Sequence, residues 1–418
     1  MKIIFTTLLI GFTILVGFSQ TQQHRGCGTM QHHEALKKSQ PNYESDFNQY
    51  NKMIDDYIAN NTNQLSKTGA LITIPVVVHI IYKTAAENVS DAVGANQVKV
   101  LNEDFAKLNA DASKVTQAAF KPLASGANVR FCLAVRDPSG KPTTGITRKQ
   151  TTVTEFVMGD DKMKKASTGG VDPWDVKKYV NIWICNLDAS WLGYAEFPTG
   201  SLSNTYGLVI DYTTVPGGSN ATYNLGRTGT HEFGHCFNLL HIWGDEAACS
   251  GSDGCADTPN QGPEHYGTYP VGSIQGDACS SSTMWMNYMD YTDDAAMYMF
   301  TANQAARINA VVSTAPWNVL ATSNGCTPVS NVGITETLSS NDVSIYPNPS
   351  NDFIYVDLKP MSLENTSIEM YDAVGKLVLN YKIFSFSSRL SISELCKGIY
   401  TVRIIANGQQ LVKRIIKE

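Results

Sequence analysis

The sequence predicts an α+β domain followed by a small all-β sandwich. Four segments rich in Val, Ile, Leu and aromatic residues are predicted strands: 72–82, 128–136, 179–187 and 207–213. Four apolar residues at helical spacing predict a helix beside them: Val98, Leu101, Phe105 and Leu108. Beyond residue 342, short segments alternate apolar and polar residues, as the half-buried strands of a sandwich do.

The first residues have the composition of an export signal. Lys2 precedes an apolar run that ends at Phe18, and Gly17 and Ser19 put small residues at the −3 and −1 positions of a cut before Gln20. We therefore predict a signal peptide over residues 1–19. A transmembrane helix is the alternative, but the run is short for a bilayer and contains three threonines.

Composition limits the partners of the chain. Its 418 residues, 43% of them hydrophobic and 17% charged, are enough for a substantial core and for two or three domains. The formal net charge is −6 and no basic cluster occurs, so no nucleic-acid partner is expected. Residues 20–70 are polar, with weak apolar periodicity and no obvious core, which predicts a propeptide.

The segment from His231 to His241 puts three imidazoles and one carboxylate at the spacing of a hydrolytic zinc site. On a helix, His231 and His235 share one face and can bind one Zn²⁺, with Glu232 beside the open position as a general base. A chance HExxH is expected in roughly one per cent of such chains, and the added His241 lowers that to about one in several thousand. We therefore predict a zinc peptidase with His241 as the third ligand.

A turn must follow His235 if His241 is to reach the same metal ion. A continuous helix would carry His241 about 9 Å further along its axis. Asn238 lies where the chain has to reverse, and after Gly it is the residue type most tolerant of positive φ. Asn238 is therefore predicted to end the helix, and Cys236, on the apolar face, to be a buried thiol.

The segment HEFGHCFNLLH resembles the HExxHxxGxxH signature of the metzincin zinc endopeptidases, with Asn238 in place of the usual Gly. The later segment NYMDY, residues 287–291, resembles the metzincin Met-turn, although an isolated Met-x-Tyr is more often core packing. The resemblance implies that Met289 lies beneath the metal and that Tyr291 stabilises the tetrahedral transition state. It also implies a twisted mixed sheet with helices above an irregular lower lobe, and a cleft between them.

Within the metzincins, the chain is most similar to the smaller bacterial members of the pappalysin family. The similarity runs through six segments: 74–82, 101–105, 179–185, 192–195, 257–259 and 287–300. It implies a catalytic domain over residues 71–327. Family members often cut beside arginine, using an acidic residue in the pocket that receives the side chain following the cut bond. Ala295 stands near the place of that acid, so no arginine preference is expected unless Asp293 or Asp294 replaces it.

Cys27 stands in the sequence RGCG within the predicted propeptide. A thiolate held at the fourth position of the zinc would displace the catalytic water and keep a precursor latent. Similar cysteine switches occur in metzincin precursors, and we predict one here; an odd thiol or a disulfide partner is the alternative. The segment 191–198 resembles the family's edge strand, which can bind an extended peptide, and a loop or hairpin arm is the competing interpretation.

Nine cysteines in an exported chain permit disulfides. The cysteines most expected to pair lie after the zinc motif: Cys249, Cys255 and Cys279. The cysteine that pappalysins typically carry shortly after the Met-turn is absent. Related pappalysins bind structural Ca²⁺ in the same Gly-rich region, which here offers three oxygen ligands: Asp253, Asp257 and Thr258. A solvated acidic loop is the competing interpretation, because the spacing lacks an EF-hand pattern.

Residues 328–342, rich in Ser, Asn, Gly and Thr, are a predicted linker. Residues 343–418 resemble the C-terminal sorting domain of type IX secretion cargo, because they open with YPNP and end with a basic-apolar strand that carries Lys413 and Lys417. The resemblance implies the type IX secretion machinery as a partner and transport across an outer membrane, with release or surface attachment. A carbohydrate-binding or adhesive sandwich is the alternative.

These observations predict a secreted zinc endopeptidase that acts on proteins or peptides and is made as a latent precursor. A non-catalytic surface binding protein or adhesin that retains the metzincin fold is the alternative from another class. The intact Glu232 argues against it, because a purely structural zinc site needs no base. A metal-dependent amidase acting on cell-wall peptides would use similar chemistry on another substrate.

Overall fold

The computed structural model describes residues 26–61, 71–188, 191–246, 249–329, 339, 342–359, 366–383, 386–406 and 409–418. The predicted signal peptide and most of the predicted linker lie outside the described residues. Within the described ranges, none of the helices has the length and apolar character needed to cross a bilayer.

A six-stranded mixed sheet forms the centre of the larger core. In chain order, the strands before residue 330 are β1 (Ile72–Tyr82), β2 (Ala124–Ser125), β3 (Val129–Leu133), β4 (Ile146–Gln150), β5 (Val180–Cys185), β6 (Gly193–Ala195), β7 (Gly207–Asp211) and β8 (Phe300–Thr301). The sheet order is β3-β1-β5-β7-β6, and β4 pairs with the second half of β1. Its strands are parallel except β6, which is antiparallel and forms one edge.

The four predicted strands are confirmed. β1 has the predicted bounds, while the strands within 128–136, 179–187 and 207–213 are somewhat shorter. β1 is a nearly continuous apolar run because it has parallel partners on both sides and is buried along almost its whole length. The prediction of an edge strand within 191–198 is confirmed by β6.

Five α-helices occur among the described residues: α1 (Thr29–Ser39), α2 (Tyr43–Asn60), α3 (Asp91–Phe105), α4 (Arg227–Cys236) and α5 (Ala302–Ser313). α3 packs on β3 and on α4, and α4 packs on β6 and β7. The helical prediction is wrong at Leu108, which is 70% exposed. The helix ends at Phe105 because Lys107, at φ 55°, turns the chain away before Leu108 can pack.

The expectation that residues 20–70 have no obvious core is wrong for their described part. α1 packs on the edge strand β6, and α2 packs on α5. Tyr50 and Ile54 of α2 are buried in the same apolar core as the sheet. The apolar periodicity of this segment is weak because each helix buries only a few residues, and it buries them against a surface that the rest of the chain supplies.

Two disulfides tie the larger core together. Cys249 bonds to Cys279, as the sequence indicated, and Cys132 bonds to Cys326 over a separation of 194 residues. Cys255 is a buried free thiol, so its inclusion among the pairing cysteines is wrong. Cys236 is buried and unpaired, which confirms the sequence prediction.

The C-terminal segment forms two antiparallel sheets around a separate apolar core, as the sandwich prediction requires. Its strands are β9 (Val343–Tyr346), β10 (Phe353–Leu358), β11 (Ser367–Tyr371), β12 (Leu377–Lys382), β13 (Ser387–Ser391), β14 (Gly398–Ala406) and β15 (Gln409–Lys417). One sheet has the order β13-β10-β9 and the other β12-β11-β14-β15. β9 and β13 were not predicted as strands; the sequence of β13, SSRLS, is short and polar.

Candidate active site

Helix α4 presents His231, Glu232 and His235 from a fully buried position. Phe233 on its other face contacts Phe131 of β3, with ring centroids 4.8 Å apart. The start of the helix is held by the Asp294 carboxylate, which accepts hydrogen bonds from the backbone N–H groups of residues 225 and 227 at 2.9 and 3.2 Å. An anion at this end of a helix is favoured by the exposed N–H groups and the helix dipole.

The predicted turn at Asn238 is confirmed. Asn238 has φ 67°, and the N–H of Leu239 donates to the carbonyl of Gly234 at 2.9 Å. This reversal ends α4 and brings His241 back to the face that carries the other two histidines. The three Nε2 atoms consequently lie 3.1 to 3.2 Å from one another.

Each of the three imidazoles is oriented by an acceptor at its other nitrogen. Nδ1 of His231 lies 2.7 Å from the Tyr288 carbonyl, and Nδ1 of His235 lies 2.7 Å from the Leu239 carbonyl. Nδ1 of His241 lies 2.6 Å from the Asp245 carboxylate. Such partners fix the tautomer that leaves Nε2 as a lone-pair donor.

The donor set fits a zinc ion. Three Zn–N bonds in a tetrahedral arrangement place the nitrogens about 3.3 Å apart. The Nε2 separations of 3.1 to 3.2 Å are close to that value. Burial lowers the pKa of His235 well below its usual value, which favours the neutral, ligating form. With Cys27, these histidines form the one group of three or more His, Cys, Asp or Glu side chains suited to a metal among the described residues.

Met289 packs against helix α4 at Gly234, between the two ligating positions of the helix in sequence. It is fully buried, and a Cβ added at Gly234 would come within 2.4 Å of its Sδ atom. Gly234 therefore has no side chain because the thioether occupies that space. Tyr291 follows two residues later, with its ring 4.9 Å from that of His241. Burial raises the pKa of Tyr291 well above its usual value, so its phenol stays protonated and can donate a hydrogen bond.

Cys27 occupies the position between the histidines and Glu232. Its Sγ lies 3.4 Å from Nε2 of His235 and 3.5 Å from the Glu232 carboxylate. Burial and the Glu232 charge raise the pKa of this thiol well above its usual value, so a bound cation is what would stabilise the thiolate. Thr29 completes the contact, because its hydroxyl donates to Glu232 at 2.8 Å and accepts from the Ala195 N–H at 2.8 Å.

Most carboxylate oxygens of the predicted calcium loop, which contains Asp253 and Asp257, accept hydrogen bonds from donors of the protein. Asp257 accepts hydrogen bonds from the Thr301 hydroxyl and the Asn303 N–H. One Asp253 oxygen accepts from Thr258, while the other is buried without a hydrogen-bond partner in the described structure. Calcium at this loop stays a prediction.

The sequence analysis did not predict the roles of three residues of this site: Thr29, Asp245 and, at the start of the helix, Asp294. Asp245 has a signal in hindsight, since an acid four residues after a ligating His is close enough to orient it. Thr29 and Asp294 have none, because their partners are distant in sequence. One oxygen of the Asp294 carboxylate accepts both hydrogen bonds at the helix start, and a role for Asp294 in a substrate pocket stays a prediction.

The fold and this site define a class of protein, a metalloendopeptidase. The sequence model described as pregnancy-associated plasma protein-A matches residues 165–313, and that of a secretion system C-terminal sorting domain matches residues 344–418. An extracellular metalloprotease of Podospora anserina is 30% identical over 306 residues, which cover 70% of this chain and 91% of that protein. Promirolysin of Tannerella forsythia is 38% identical with a TM-score of 0.66, covering 73% of this chain and all of the other.

Mature mirolysin from the same organism, in complex with a cleaved peptide, is 42% identical with a TM-score of 0.59 and covers 63% of this chain and all of that one. The chain belongs to the pappalysin family of metalloendopeptidases, as the sequence resemblance implied. Its sorting domain identifies it as cargo for type IX secretion, which exports it across the outer membrane.

Proposed function

We propose that the chain is a latent precursor of a zinc endopeptidase in which His231, His235 and His241 hold the metal. The observation that carries this proposal is the convergence of three Nε2 atoms within 3.1 to 3.2 Å, beside Glu232 and a cysteine from the N-terminal segment. Zinc, when bound, polarises a carbonyl and lowers the pKa of its water to roughly 7.

Glu232 is the residue we assign to proton transfer. Its carboxylate is buried at the open side of the histidine cluster, where a base can take a proton from water and return it to the leaving amine. The protonated phenol of Tyr291, on the opposite wall, donates a hydrogen bond to the oxygen on which charge develops. The outer edge of β6, which residues 26–29 cover in this structure, binds the peptide backbone once they leave, and such binding requires little sequence preference.

The latency of the precursor rests on Cys27 and Thr29. Cys27 takes the place of the catalytic water, and Thr29 engages the carboxylate of the general base. The water position and the general base are therefore both blocked by the segment that contains Cys27 and Thr29. We assign residues 1–19 to a signal peptide, 20–70 to the propeptide, 71–327 to the catalytic domain, 328–342 to a linker and 343–418 to the sorting domain.

The proposal is tested by zinc content and casein hydrolysis of the wild type, Glu232→Ala and Glu246→Ala, each activated by removal of the propeptide. Glu246 is an exposed acid near the site and serves as the matched control. We expect all three to bind one zinc and only Glu232→Ala to lose hydrolysis. Zinc bound without turnover of any protein substrate would instead support a binding protein, and turnover of cell-wall peptides alone would support an amidase.

A further inference from the structure

A loop of four residues, Met158 to Asp161, forms a wall beside the edge strand β6. Asp161 lies at the inner end of this loop with φ 53°, a left-handed conformation that points its carboxylate at the strand. One carboxylate oxygen accepts a hydrogen bond from the Tyr194 hydroxyl at 2.9 Å and pairs with Lys164 Nζ at 3.0 Å. The other oxygen faces the groove that α1 fills.

Buried neighbours hold the Asp161 carboxylate rigidly. Tyr194 and Lys164 are almost entirely buried, and Lys164 also lies 5.0 Å from the Tyr194 ring. Burial raises the pKa of Asp161, but the Lys164 ammonium and the His32 contact together outweigh it and hold that pKa well below its usual range. The Lys164 pair and the Tyr194 hydrogen bond do not involve α1, so both remain to orient the charged carboxylate when α1 leaves.

His32 of the propeptide occupies the groove in this structure. Its Nε2 lies 3.3 Å from the free oxygen of Asp161, and its Nδ1 lies 3.4 Å from the carbonyl of Ala195. Its ring packs edge-on against Tyr194 at 5.0 Å. Once α1 leaves, the second oxygen of Asp161 faces the groove as a charged acceptor, and the neighbouring N–H and carbonyl of Ala195 become available to the backbone of a substrate.

The position of this groove follows from the pairing along β6. Cys27, at the metal site, lies opposite Gly193, and Ala195 is two residues further along the strand, about 7 Å away at the rise of a β-strand. A substrate paired with β6 in the antiparallel direction, which is the more stable pairing, places residues before the cut bond opposite Ala195.

We propose that Asp161 forms a substrate subsite beside Ala195 that selects a basic side chain at the second or third residue before the cut bond; this rests on the proposed function. Arginine fits best, because its rigid fork of N–H donors suits a carboxylate. The thioether of Met158 supplies an apolar wall for the aliphatic stem.

Cleavage-site mapping on a peptide library tests this assignment, using the enzyme activated from the full chain. The wild type is expected to favour Arg or Lys at one of those two positions. In a matched peptide pair that differs there by Arg or Gln, the Arg-to-Gln ratio of kcat/KM is expected to fall by about tenfold in Asp161→Asn. Asp160→Asn, whose side chain pairs with Lys162 instead, is expected to keep the wild-type ratio.

Because Asp161→Asn leaves Lys164 buried without a charged partner, the double variant Asp161→Asn/Lys164→Met is measured in parallel and is expected to show the same loss. The Gln peptide reports whether either variant retains basal activity. Basic residues enriched only after the cut bond, or an unchanged Arg-to-Gln ratio in variants that cleave the Gln peptide, would overturn the subsite. Absence of cleavage by the activated wild type would overturn the proposed function and this inference with it.

Discussion

Replacing Thr29 by Val is predicted to release the latency of the precursor while Cys27 is still present. The substitution keeps the shape of the side chain and removes the hydroxyl, which is fully buried between Glu232 and the N–H of Ala195. Both hydrogen bonds exist only while the propeptide is seated. Their loss therefore weakens the closed state and leaves the open, active state unchanged.

The size of the effect follows from the two bonds. A hydrogen bond to a charged group contributes about 1.5–3 kcal/mol and a neutral one about 0.5–1.5 kcal/mol. A combined loss of about 2–4.5 kcal/mol raises the open fraction of the precursor roughly 30-fold to 2,000-fold. The measurable quantity is the initial rate at which the intact, zinc-loaded precursor hydrolyses a fluorogenic peptide, with the chain shown to be uncut by mass spectrometry.

Thr29→Ser is the matched control, since it keeps the hydroxyl and is expected to stay close to the wild-type rate. After removal of the propeptide, the hydrolysis rate of Thr29→Val is expected to equal that of the wild type, because residue 29 is removed with the propeptide. A rate for the intact Thr29→Val precursor within about twofold of the wild-type precursor would show that these two hydrogen bonds do not hold the segment closed, since a loss of even 1.4 kcal/mol gives tenfold.

Three further predictions concern the groups around the site. Asp245→Asn is expected to weaken zinc binding by about 10–100-fold in a competition titration, because His241 loses its charged acceptor; zinc affinity equal to the wild type would contradict this. The free energy of unfolding of Asn238→Ala is expected to be about 1 kcal/mol lower than that of Asn238→Gly, since only the glycine adopts φ 67° freely. Equal denaturation midpoints for the two variants would contradict the role of this turn. His265 carries a pH effect: burial lowers its pKa, but the Asp290 carboxylate outweighs burial and raises it above the usual value. The stabilisation of the fold by the His265–Asp290 pair is then complete below the unfolded pKa of about 6.5, and it is lost as pH rises through the higher folded pKa. His265→Gln is therefore expected to lower the free energy of unfolding more at about pH 5.5 than at about pH 8.5. An equal loss at both pH values would contradict this.

Features fixed by neighbours in sequence were predictable. The spacing of His231 and His235 is set by helix geometry, and the return of His241 follows from one residue at positive φ. β1 could be recognised because a strand buried on both faces is a continuous run of Val and Ile. The helix end at Phe105 was misplaced because Leu108 continues the apolar spacing, although Lys107 has already turned the chain.

Features fixed by distant partners were not predictable. The Cys132–Cys326 disulfide spans 194 residues, and nothing near either cysteine indicates the other. Helices α1 and α2 bury their few apolar residues against β6 and α5, so their own sequence shows little periodicity. The role of Thr29 was unpredictable for the same reason, because it depends on the Glu232 carboxylate, 203 residues away.

The most direct test of the account is the coordination of zinc in the precursor before and after activation, measured by X-ray absorption. Three histidine nitrogens at about 2.0–2.1 Å and one sulfur at about 2.3 Å are expected in the intact precursor. The sulfur is expected to be absent from Cys27→Ser and to be replaced by a light atom when the wild type gains activity. A wild-type precursor without sulfur at the zinc, or an active enzyme that keeps it, would contradict the account.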